Sequence, residues 1–169
     1  MGTHSARRVT VERIARGRFL ATNDRGGSVV MVSDGGSDLT PVELLLAALG
    51  GCTAMDVDAL TSRRAEPEAF EVIVEAQKVR DELGNRLTDI VERFRIAFPD
   101  TDGGASACEV LPDMVAKSHD RLCTVGRTVQ VGAPIETQIE LPSESAAQAI
   151  GGTQSGSAVG YELPDLRDG

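Results

Sequence analysis

Thr40-Pro41-Val42-Glu43-Leu44-Leu45-Leu46-Ala47-Ala48-Leu49-Gly50-Gly51-Cys52-Thr53-Ala54-Met55-Asp56 is the stretch around which the rest of the chain is organised. Thr40 is placed to cap a helix, Pro41 sits at the first helical position, and Glu43 falls three after the cap. That spacing is a capping box, in which two orphaned backbone donors are satisfied reciprocally. From Val42 to Met55 only Glu43 and Thr53 are neither apolar nor glycine. A helix apolar all round is expected to be buried on all sides. Its glycines, and Asp56 and Asp58 close behind, argue against a membrane span. Gly50 and Gly51 each cost about 1 kcal/mol relative to alanine inside a helix, so a close backbone approach is expected there. Cys52, beside them, is the first candidate for chemistry.

Working outward, Val9, Val11, Ala15, Phe19 and Ala21 alternate with mostly polar residues, which predicts a strand. Asn23 to Gly27 is a turn, and Val29 to Val32 a second strand pairing back as a hairpin. The loop Asp34 to Asp38 leads into the central helix, which is expected to run from Thr40 to about Arg64. Beyond Pro67, Phe70 to Val79 and Leu87 to Phe98 alternate about a turn at Gly84-Asn85, an antiparallel hairpin. A second helix is predicted from Ser106 to about Asp120, with Glu109 completing another capping box, and with Leu111 as the alternative start because of Pro112. Two closing strands are expected, Arg127 to Val131 and Ile135 to Leu141. The elements make an α+β pattern, with one domain over 1–142 and a flexible Gly/Ser/Ala-rich tail over 143–169.

Composition narrows the function. The 169 residues suffice for one domain, and with four Phe, one Tyr and no Trp its core must be aliphatic. A net charge of -9 disfavours nucleic acid and anionic membrane surfaces as partners. Three cysteines, at 52, 108 and 123, do not form a secreted disulfide framework. With no signal peptide evident in the first twenty residues, a cytoplasmic location is expected. The cysteines and two histidines offer no close-spaced ligand pairs, so no metal site is expected, and the thiol chemistry open to these cysteines needs no bound cofactor.

If Cys52 and Cys123 meet, they suit thiol redox chemistry. A thiolate attacks a peroxide oxygen and becomes sulfenic acid, a second thiol condenses to a disulfide, and an external dithiol restores the pair. The attacking thiol must be ionised near neutral pH, which needs a cation or a helix N-terminus. Cys52 lies about three turns into its own helix, too far for that dipole. Asp56, one turn on, would oppose ionisation if it pointed the same way. An arginine from elsewhere is therefore required. Free cysteines are also commonly core residues, and Cys108, with no partner signal, is read as structural.

Pro41 to Thr53 closely resembles the signature helix of the OsmC/Ohr family of thiol-dependent hydroperoxide reductases, in the branch carrying ELLLAALGGCT. Ser118-His119-Asp120-Arg121-Leu122-Cys123-Thr124-Val125 resembles the family's second motif, a histidine shortly before a cysteine. The resemblance covers about residues 9 to 142. It implies an OsmC-like fold with antiparallel sheets packed around two long helices, an intertwined homodimer, and active sites at the subunit interface. It also implies Cys52 as peroxidatic thiol and Cys123 as resolving thiol. In the well-defined reductases a glutamate directly follows the helix-opening proline and holds a catalytic arginine. Here Val42 takes that place and Glu43 comes one later, about 100° round the helix. Ala21 to Gly27 is similar to the family's arginine-bearing turn, which implies Arg25, with Arg18 as the alternative.

The activity implied is reduction of organic hydroperoxides, with aliphatic walls from Leu45, Leu46, Leu49 and Met55. The reductant would be a small dithiol or a lipoyl-type protein. A non-enzymatic dimer binding a small apolar or thiol-reactive ligand, and a redox sensor, are the competing readings.

Overall fold

The computed structural model describes residues 5–33 and 36–141. The chain divides into two units, 1–133 and 134–169. The tail expected over 143–169 lies outside the described residues.

The first unit opens with an antiparallel sheet of β1 (Val9–Ala15), β2 (Arg18–Asn23) and β3 (Ser28–Val32), in that order. The single strand expected through Val9 and Ala21 is thus two. Gly17, at φ 69°, folds the chain back, so that Val11 pairs with Ala21. The alternation was real on both sides of the turn, and a parity that carries across a two-residue turn hides it. Asn23 closes the next turn as expected, its Oδ1 accepting from the N–H groups of Arg25 (2.8 Å) and Gly27 (3.1 Å).

The central helix α1 spans Pro41–Thr61, with the capping box formed at Thr40 and Glu43. By length and composition alone α1 could cross a membrane. Within this fold it packs instead against β4 (Ala69–Asp81), α2 (Asp102–Lys117), α3 (Thr124–Val131) and the turn between the last two. Gly50 explains itself here. A Cβ there would lie 2.6 Å from Val74 Cγ2, so the glycine lets the strand close onto the helix. A Cβ at Gly51 would meet nothing within 4 Å.

β4 (Ala69–Asp81) and β5 (Gly84–Ala97) form the expected long hairpin. Glu71 faces Arg95 across it at 3.1 Å, and Glu75 pairs with Arg93 on the diagonal. α2 spans Asp102–Lys117, starting four residues before the predicted Ser106. Its cap is Thr101, whose Oγ1 accepts from Gly104 N–H at 3.1 Å. Ser106 and Glu109 have the box spacing but lie one turn inside.

After α2 come a π turn over Ser118–Leu122 and a short helix α3 over Thr124–Val131. The strand expected at Arg127 to Val131 is therefore helical. Its β-branched residues favour a strand only where a pleated surface receives them. Here the N-cap is Cys123, whose Sγ accepts from Gly126 N–H at 3.2 Å, and cysteine is not among the usual capping residues.

In the second unit, residues 134–141 form no strand. Ile135, Ile139 and Leu141 are more than 80% exposed. The alternation predicts a strand, but a strand exists only where another backbone supplies its hydrogen bonds.

Two apolar surfaces are left exposed among the described residues. α1 was expected to be buried on all sides, yet Met55 is 75% exposed and Val42 and Leu45 each 40%. The first sheet likewise packs little on the helices or on the second sheet, leaving Val9, Val11 and Ile14 exposed.

Candidate functional site

Cys52 and Cys123 meet. They are 71 positions apart in sequence and both are free thiols, and Cys123 lies close enough to act on the Cys52 thiol. Cys123 is almost completely buried, while Cys52 is half-buried. α1 delivers Cys52 from its middle. α2, the π turn and the start of α3 deliver Cys123.

Burial pushes the Cys52 thiol above its ordinary value. The backbone N–H of Val125 opposes this, the Cys123 thiol adds to it, and the N–H of Thr124 opposes it weakly. Those two N–H groups belong to the first turn of α3, where orphaned donors and the positive end of the helix dipole face outward. A helix N-terminus does therefore reach Cys52, but it belongs to a different helix from the one carrying the cysteine. Nothing in the spacing of residues 40–56 could announce this, because α3 itself reads as a strand.

Asp56, one turn beyond Cys52, is engaged. Ser118 Oγ donates to its Oδ2 at 2.8 Å, and Ser118 is fully buried. Thr53 is also buried, with its hydroxyl 3.2 Å from Leu49 O and 3.3 Å from Glu92 Oε1, which ties α1 to β5.

A cavity of about 870 Å³ lies between α1, β5, α2 and α3. Its walls are mostly apolar, including Leu49, Phe94, Leu111 and Val115, and Cys123 rather than Cys52 lines it. His119 and Gln130 supply a polar edge, 3.0 Å apart between their Nε2 atoms. Of the aliphatic residues expected to wall a site, Leu49 lines this cavity, and Leu46 lines a second, smaller groove between α1 and β4. Leu45 and Met55 are exposed.

The remaining candidates lie elsewhere in the single chain. Arg25 is in the exposed turn between β2 and β3. Arg18, on β2, pairs with Asp38 at 2.8 Å. Glu43 lines the smaller groove. Its Oε2 accepts from the Thr40 N–H at 2.7 Å and from Thr40 Oγ1 at 2.8 Å. Those bonds, the backbone one first, hold its carboxyl below the usual value. Cys108, read from sequence as structural, is exposed on α2.

Comparison with known proteins agrees with this architecture. A hypothetical protein from Aquifex aeolicus VF5 superposes with a TM-score of 0.61 at 18% identity, over 79% of this chain and 93% of its own. An OsmC-like protein of unknown function from Vibrio cholerae gives 0.62 at 15% identity, over 75% and 95%. An organic hydroperoxide resistance protein from Elizabethkingia anophelis gives 0.51 at 14%, over 76% and 91%. At these identities the likeness is one of fold. No curated protein matches the chain. The family model described as OsmC-like protein matches residues 34–138, which include both cysteine motifs, α1 and the long hairpin. The chain belongs to the OsmC-like protein family.

Proposed function

We propose that this chain is a thiol-dependent reductase of organic hydroperoxides, acting as a homodimer. The observation that carries the reading is the meeting of Cys52 and Cys123, half-buried and buried, beside the first turn of α3, whose backbone N–H groups favour the Cys52 thiolate. The Cys52 thiolate attacks the terminal peroxide oxygen. The O–O bond breaks, the alkoxide takes a proton and leaves as an alcohol, and Cys52 becomes sulfenic acid. Cys123 then attacks that sulfur, forming the Cys52–Cys123 disulfide and releasing water. An external dithiol returns both thiols and is itself oxidised to a disulfide. The apolar cavity beside Cys123 suits an alkyl chain better than hydrogen peroxide.

A second copy completes the site. The exposed side of α1 and the open face of the β1–β3 sheet are apolar surfaces that one chain leaves uncovered. Arg25 and Arg18 ride on that sheet. A sheet laid on a partner's α1 would bring one of these guanidinium groups to the partner's Cys52, the cation this chemistry needs. Glu43, one position from the family's glutamate, would orient it.

One observation favours a different reading. Burial raises the Cys52 thiol in the single chain, and a protonated thiol beside an apolar cavity suits a binding module or a redox sensor. Thiol counting after one equivalent of an alkyl hydroperoxide decides between them. Rapid loss of two thiols in the wild type, and of none in Cys52→Ser, is expected. Survival of all three thiols in the wild type would sink the reductase reading.

A further inference from the structure

We infer that Asp56 and Ser118 are a positioning pair that sets Cys123 against Cys52, so that the strength of the disulfide between them depends on one part-buried hydrogen bond. The inference rests on the two cysteines forming the redox pair proposed above. It begins with a closed ring of interactions. Asp56 lies four residues after Cys52, on the same face of α1. Its Oδ2 accepts from Ser118 Oγ at 2.8 Å, a contact 62 positions apart in sequence. The Ser118 carbonyl in turn accepts from Cys123 N–H at 2.9 Å, and the Cys123 thiol lies near Cys52, which closes the ring. Two hydrogen bonds therefore connect the helix that carries one cysteine to the backbone of the other.

The second bond spans five residues and defines the π turn Ser118–Leu122. Such turns are rare and tend to occur at functional sites. An ordinary helical turn would change the angle at which residue 123 leaves α2, because each residue added or removed turns the chain by about 100°. Ser118 is also the C-cap of α2, its N–H donating to Met114 O and Val115 O. Its hydroxyl is fully buried, so it needs a partner whatever the redox state. Asp56 supplies that partner, and in doing so fixes the turn's origin to α1. A disulfide tolerates only a narrow range of sulfur geometry. Loosening the ring should therefore lower the effective concentration of one thiol at the other.

The test is the equilibrium of the full-length protein with oxidised and reduced dithiothreitol, which involves no peroxide. The Cys52 and Cys123 thiols give up two protons and two electrons to form their disulfide, and the reagent's disulfide is reduced to a dithiol. In a Cys108→Ser background, Ser118→Ala and Asp56→Ala should each shift the constant about tenfold towards the protein dithiol, about 30 mV. Asp56→Asn keeps an oxygen acceptor for the Ser118 hydroxyl and should stay within about twofold of wild type.

Melting temperatures of both redox forms are read alongside, since a merely structural bond would lower both equally and leave the constant unmoved. That result would overturn the inference, as would Asp56→Asn shifting as far as Asp56→Ala. Should Ser118→Ala fail to fold, the comparison of the two Asp56 variants decides alone. A wild type that forms no Cys52–Cys123 disulfide with this reagent overturns the positioning role, while the peroxide reading is judged separately by thiol loss.

Discussion

Gly50→Ala probes how α1 meets the β4–β5 hairpin, and two opposing effects set its outcome. In an otherwise accommodating helix interior the change would stabilise by about 1 kcal/mol through backbone entropy and propensity. Here the new methyl would sit 2.6 Å from Val74 Cγ2, about 1 Å inside ordinary van der Waals contact, with Val72 Cγ1 at 3.5 Å. Val74 is β-branched, on a strand, and stiff at χ1, so the helix or strand must move. Overpacking of this kind costs about 1–3 kcal/mol. The overlap wins, and a net destabilisation of about 1 kcal/mol is expected.

Removing the obstructing methyls reverses the sign. In a Val74→Ala background, Gly50→Ala meets only the ordinary contact with Val72 and should stabilise by up to about 1 kcal/mol. A double-mutant cycle therefore has a coupling energy of about 2 kcal/mol. Urea denaturation at one fixed protein concentration measures it. For a slope near 2 kcal/mol/M, each 1 kcal/mol moves the midpoint by about 0.5 M. Additive effects within about 0.5 kcal/mol would refute the claim that Gly50 exists to admit Val74.

Two further outcomes concern the second copy. Sedimentation at micromolar concentration should give twice the 17.8 kDa of one chain, and Met55→Glu with Leu45→Glu on the exposed side of α1 should return the monomer; a wild type sedimenting as one chain would refute the shared site. The second outcome is the pH profile of Cys52 alkylation, followed at the peptide level. In the wild-type dimer it should lie at lower pH than in the variant lacking both arginines, because a partner guanidinium offsets burial. Arg18→Ala with Arg25→Ala should move it to higher pH, the direction burial sets. With the folded pKa raised, this thiol contributes stability below the unfolded value, and that stability is lost as pH rises through the folded one. Identical profiles would mean that neither arginine serves the thiol.

Much of the fold was legible because its signals are local. The capping box at Thr40 and Glu43, the alternation either side of Gly84, and the turn at Asn23 each depend on residues within a few positions of one another. The family followed from two such stretches, Pro41 to Thr53 and Ser118 to Val125. Elements went astray where a distant surface overruled local preference. Thr124 to Val131 has strand-forming residues but lies against α1 as a helix. Ile135 to Leu141 alternates as a strand does, with no second strand to pair with in the described residues.

The sequence by itself determined which residues could do chemistry: one cysteine amid an apolar helix, another after a histidine, and arginines on an early sheet. Only the tertiary structure decided that the two cysteines lie together, that the N–H groups acting on Cys52 come from α3, and that Asp56 is held by Ser118. The physical reason is separation along the chain. A cap or a turn is written within one helical turn of sequence. A hydrogen bond between residues 56 and 118 depends on how two helices pack, and no spacing within either helix encodes it.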